Sequence, residues 1–80
     1  MFDPILFGCR LRELRESRGE KQPALAEALN VSVPQVSDLV NGKKGTTLPK
    51  LALICRHYNI SADYLLGLTD EPRPHKRKKN

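Results

Sequence analysis

The chain has no tryptophan, and its aromatic residues stop at two tyrosines and two phenylalanines. So few large rings, with 39% hydrophobic residues, suit a small helical bundle rather than a β-sandwich. Its two cysteines, Cys9 and Cys55, lack any Cys-x-x-Cys pairing. That argues against a disulfide framework and reads as reduced thiols in a cytosolic protein. Together with His57 and His75 they bring too few ligands for a zinc site, so no metal is expected. No apolar run is long enough to span a bilayer. The start, Met1 to Cys9, carries Asp3 and no basic cluster, unlike a secretory signal. There is no glycine-rich phosphate loop, no acidic metal cluster and no nucleophile with an evident base. No catalytic residue, cofactor or membrane partner is therefore expected, and the expected location is cytoplasmic.

Positive charge is also scarcer than its total implies. The formal net charge is +5, but Arg73, Lys76, Arg77, Lys78 and Lys79 account for all of it. Residues 1–71 hold the other nine basic side chains against nine acidic ones. The body is thus neutral, and any affinity for a polyanion must come from local arrangement. Between Val40 and Lys50 lie Lys43, Lys44 and Lys50 with no acid among them. Eighty residues hold one core. The expected division is a folded domain over 1–71 and a basic, disordered tail over 72–80.

What is present is concentrated between Gln22 and Asn41. Leu25 and Leu29 sit four apart, as one helix face requires, with the small Ala26 between them. Asn30 tolerates the left-handed conformation of a tight turn, and Val31 is placed to plug the corner. Ser32 is an N-cap for a new helix whose buried stripe is Val36, Leu39 and Val40. This spacing predicts a helix-turn-helix over 22–41, with its second helix, 33–41, on the surface. Around it, Asp3 and Pro4 start a first helix that Gly19 ends. Thr47 caps a fourth with the stripe Leu51, Ile54, Cys55 and Tyr58. Ser61 caps a short fifth that Gly67 closes.

The flanks carry a resemblance. They include Arg10-Leu11-Arg12-Glu13-Leu14-Arg15-Glu16, Gly19, Gln22 and Leu25-Ala26-Glu27-Ala28-Leu29. Val31-Ser32, Asn41-Gly42-Lys43, Ile60-Ser61 and Asp63-Tyr64-Leu65-Leu66-Gly67 follow. In this order and spacing, residues 10–69 resemble the lambda-repressor-like, or XRE, group of Cro and phage-repressor DNA-binding domains. The resemblance implies an all-α, compact five-helix domain whose second and third helices bind double-stranded DNA. It implies a sequence-specific transcriptional regulator of bacterial or phage type.

Helix geometry and resemblance together name the expected contacts. Val33, Pro34, Gln35 and Asp38 lead into the major groove. Gln35 has the amide for a bidentate pair with adenine, Val33 suits a thymine methyl, and Asp38 can only accept, as from cytosine N4. Gln22 at the positive end of helix two, with Asn41, Lys43 and Lys44, is expected on phosphates. Many relatives pair a helix-one arginine with a glutamate just before the Asn-Gly turn. Val40 stands there instead, which leaves Arg15 to solvent before DNA, and Arg10 and Arg15 are both weaker phosphate candidates than the residues above.

A reader of few base pairs selects a genomic site as a pair, so a homodimer on DNA is expected. Tyr64, Leu65, Leu66 and Leu68, or Phe2, Ile5 and Leu6, offer the apolar surface. The hydrophobic Val33 and the acidic Asp38 on the reading helix leave a rival open. It is a protein-interaction module, or an antitoxin-like partner protein, on the same fold.

Overall fold

A computed structural model describes residues 2–74. The last part of the expected basic tail, 75–80, lies outside them. Five α-helices follow one another: α1 Pro4–Ser17, α2 Gln22–Leu29, α3 Val33–Val40, α4 Leu48–Tyr58 and α5 Ala62–Leu66. Each lies where the sequence puts it, except that α3 stops at Val40 and Asn41 becomes its closing residue.

Capping explains most of these boundaries. Asp3 Oδ1 accepts from the Ile5 and Leu6 N–H groups at 3.0 and 3.1 Å. Ser32, Thr47 and Ser61 accept in the same way at the starts of α3, α4 and α5. A proline occupies the first or second position of α1 to α4, where its missing N–H is no loss. One exit device is used twice. Asn30 and Asn59 both turn left-handed, at φ 55° and 53°. Val31 and Ile60 then donate back to the Ala26 and Cys55 carbonyls at 2.9 Å each. A serine cap follows in both cases. The triplets Asn30-Val31-Ser32 and Asn59-Ile60-Ser61 thus turn two corners alike.

The core gathers one stripe from every helix. Phe7 and Leu11 of α1 meet Leu25, Ala26 and Leu29 of α2, and Val36, Leu39 and Val40 of α3. Leu51, Ile54 and Tyr58 of α4, with Ile60 and Leu65, complete it. Packing is tightest where α1 crosses the end of α3. A Cβ on Gly8 would lie 2.5 Å from the Leu39 carbonyl oxygen and 2.6 Å from that of Val40. Only glycine lets the helices approach so closely, and that approach fixes the angle of α3.

Polar ties hold the periphery. The Glu20 carboxylate, 14% exposed, accepts from the Tyr58 hydroxyl and sits 2.5 Å from His57 Nε2. Its backbone carbonyl accepts from Arg15 Nη1 at 2.8 Å. Arg15 is therefore not left to solvent or DNA. Arg10 is also committed: it donates to the Tyr64 carbonyl, to the Thr69 carbonyl at 2.7 Å and to Asp70 at 2.9 Å. Its guanidinium stacks on the Tyr64 ring at 4.1 Å. The Ser61 N–H donates to the Pro72 carbonyl at 3.0 Å, so the chain stays attached to the body through Pro72.

Tyr58 gives this network a pH signature. Burial, then the hydrogen bond to Glu20 and its negative charge, raise the phenol well above its ordinary 10.0. The folded state therefore keeps a proton that the unfolded chain loses. Stability from this group is intact below pH 10 and falls as pH rises beyond it. Urea midpoints should drop from about pH 10 upward. Tyr58→Phe should flatten that drop, and an equally steep alkaline loss in the variant would contradict the assignment.

Candidate nucleic-acid interface

α3 buries Val36 completely and Leu39 and Val40 almost so, which turns the opposite face outward. Val33, Pro34 and Gln35 are exposed there, and Asp38 is half-buried. Gln35, however, works locally. Its Oε1 accepts from the Ser32 backbone N–H at 2.8 Å and from Ser32 Oγ at 3.1 Å. Ser32 Oγ in turn accepts from the Gln35 N–H at 3.3 Å, closing a capping box. A bidentate pair with adenine needs the same oxygen, so in this arrangement Gln35 offers a base only its Nε2 donor.

Asp38 is also engaged, though loosely. Its Oδ2 lies 3.8 Å from Lys44 Nζ, and the lysine side chain is 74% exposed. The Lys43 N–H donates to the Asp38 carbonyl at 2.9 Å, which fastens the start of the lysine loop to the last turn of α3. Lys43 and Lys44 both project from this loop. Lys50, the third lysine of the stretch, instead donates to the Leu29 carbonyl at 2.7 Å and closes the end of α2. Ile5 approaches Gly42, and the Phe2 ring approaches Gly45, so the N-terminus backs the loop.

Gln22 opens α2, and Lys21 before it supplies no side-chain cap. The positive end of this helix is thus without the acceptor that the other four helices carry. Asn41 is held from both sides: its Oδ1 accepts from Arg12 Nη2 at 2.9 Å, and its Nδ2 donates to Ser37 Oγ at 3.2 Å. Arg12 is the residue the sequence reading missed. The signal lay in its spacing: it follows Gly8 by four, on the α1 face that meets the end of α3. Val40 offers no acceptor at its own position, and Arg12, not Arg15, bonds the residue after it.

A helix-turn-helix domain family matches residues 6–75. The chain belongs to this helix-turn-helix family. The domain is 37% identical over 71 residues to an uncharacterized HTH-type transcriptional regulator, YobD, of Bacillus subtilis, covering 89% of this chain and 63% of that protein. It is 41% identical over 63 residues to the HTH-type transcriptional regulator PrpR of Mycobacterium tuberculosis, covering 79% of this chain and 13% of that one. The chain thus spans less than two thirds of either relative. Among solved structures, the restriction-modification controller protein C.AhdI from Aeromonas hydrophila superposes with a TM-score of 0.71 at 28% identity, covering 79% of this chain and 96% of that one. The clp gene regulator ClgR from Corynebacterium glutamicum gives 0.74 at 30%, covering 82% and 70%. The resemblance to lambda-repressor-like domains holds, and the helix-turn-helix domain is all-α with five helices.

Proposed function

We propose that the protein is a sequence-specific DNA-binding transcriptional regulator of bacterial or phage type that inserts α3 into the major groove. One observation carries the reading. α3 presents an unburied face at an angle fixed by the Asn30 corner and by Gly8, and the Lys43–Lys44 loop lies along its end. Val33, Pro34, Gln35 and Asp38 face the bases in this proposal. Gln22, Asn41, Lys43 and Lys44 face phosphates, with Arg12 beside Asn41. The reading assigns no catalytic step, metal or cofactor. No helix among the described residues is long and apolar enough to cross a membrane. A cytoplasmic location fits a DNA partner. The domain comprises residues 1–71 with Pro72 fastened to it, and the basic remainder of the 72–80 tail serves as an arm toward DNA phosphates.

The proposal includes a homodimer on DNA, with half-sites about one helical turn, roughly 34 Å, apart. Leu68 and Ile5 are 73% and 66% exposed, whereas Leu65 is fully buried. Leu6 touches Gly67, so the two candidate apolar patches adjoin. Selection of bound DNA from a random pool tests the reading, and an enriched palindromic motif is the expected result. Equal affinity for the palindrome and for one half-site, with a single protomer bound, would rule out the dimer.

Lys43→Ala should weaken binding to all sequences alike and lower the salt slope by about one. An unchanged slope would place the loop away from the backbone.

A further inference from the structure

We infer that Asp38, and not Gln35, sets the base preference of α3, and that it selects a base with an amino group on its major-groove edge, cytosine first. This rests on the DNA-binding reading above and specifies what that site recognises. At 3.6 residues per turn, the inward direction set by Val36, Leu39 and Val40 has its opposite between Pro34 and Asp38. Gln35 lies about a quarter-turn aside, and its Oε1 is occupied by Ser32. Val33 and Pro34 bring no hydrogen-bonding side chain. Ser37 Oγ, toward the edge of the face, accepts from Asn41. The carboxylate of Asp38 is therefore the hydrogen-bonding group at the centre of the face.

A carboxylate only accepts. In the major groove cytosine N4 and adenine N6 donate, whereas guanine O6 and N7 and thymine O4 are acceptors that would face its charge. Adenine also places its N7 acceptor beside N6, against the second carboxylate oxygen. Cytosine has only a C–H there, and is favoured. Lys44, 3.8 Å away, offsets the repulsion between Asp38 and the DNA backbone. With a body of zero net charge, the carboxylate acts mainly as a filter: it penalises every site that does not present the amino group.

The test is selection from a random DNA pool with the full chain, Asp38→Asn, Asp38→Ala and Gln35→Ala, each checked for cooperative unfolding. Asp38 is outside the core, so its variants should fold. The wild type should enrich cytosine at one position per half-site, with a mismatch there costing roughly 5- to 150-fold in affinity. Asp38→Asn should move the preference to adenine, which an amide pairs bidentately. Asp38→Ala should erase it and bind unselected DNA more tightly. Gln35→Ala should keep the cytosine, losing only the contact of its Nε2 donor and the thermal stability that its capping box supplies. The same motif from Asp38→Ala, or loss of the cytosine in Gln35→Ala, would overturn the inference and leave the DNA-binding reading standing. No enrichment with the wild type would overturn both.

Discussion

Gly8→Ala is expected to cost about 3 kcal/mol, at the upper end for overpacking a tight contact. At 4–8 °C per kcal/mol for a domain of this size, the melting temperature should fall by roughly 12–24 °C. The added methyl meets the Leu39 and Val40 carbonyl oxygens, which are backbone and cannot rotate away. α1 and α3 must separate, so DNA affinity should fall well below the melting temperature as well. Gly19→Ala is the control. A Cβ at Gly19 meets nothing within 4 Å, but the residue has φ +63°, so only backbone strain of about 1 kcal/mol is expected. Equal losses for the two variants, or a shift of only a couple of degrees for Gly8→Ala, would show that the helices have room to move.

Glu20→Leu should destabilise by about 1–3 kcal/mol, because it leaves the Tyr58 hydroxyl without its acceptor in a side chain that is 2% exposed. Tyr58→Phe should cost a similar amount by removing the donor to a largely buried carboxylate. The double variant should be more stable than the sum of the two losses predicts, since replacing both polar partners by apolar groups is often nearly neutral. Denaturant melts of the four proteins at pH 7 give the coupling directly. Strict additivity would mean that Glu20 and Tyr58 do not act as a pair.

The helices and corners were legible in the sequence because their signals are local. Asp3, Ser32, Thr47 and Ser61 act within three residues of themselves, and Asn30 announces its own turn. The core stripes follow from spacing alone. The roles of the longer polar side chains were not legible, because those depend on which elements meet. The place of Gln35 in the first turn of α3 predicts a groove residue. The same place lets it reach back to Ser32, and the capping spacing Ser-x-x-Gln was the clue. The missing glutamate at position 40 predicts an unpartnered Arg15, whereas its partner is the Glu20 carbonyl beyond the Gly19 turn. Glu20 and His57 lie 37 residues apart, and only the crossing of α4 over the loop before α2 brings them together.

Three of the four arginines of the first eighteen residues are spent on carbonyl groups of the protein itself: Arg10 on Tyr64 and Thr69, Arg15 on Glu20, and Arg18 on Tyr58 at 2.6 Å. This bears on how a binding screen should be interpreted. In a survey replacing each cation by alanine, positions 10, 15 and 18 would lose DNA affinity through partial unfolding, and would pass for contacts unless melting curves were run alongside. Lysine would not rescue position 10, since a single ammonium cannot reproduce a planar fork that serves two carbonyls and a carboxylate while lying on a ring. Arg12 is the exception, bonded to a side chain at the edge of the reading face. It is the one arginine of α1 whose loss should lower affinity while leaving the melting curve in place.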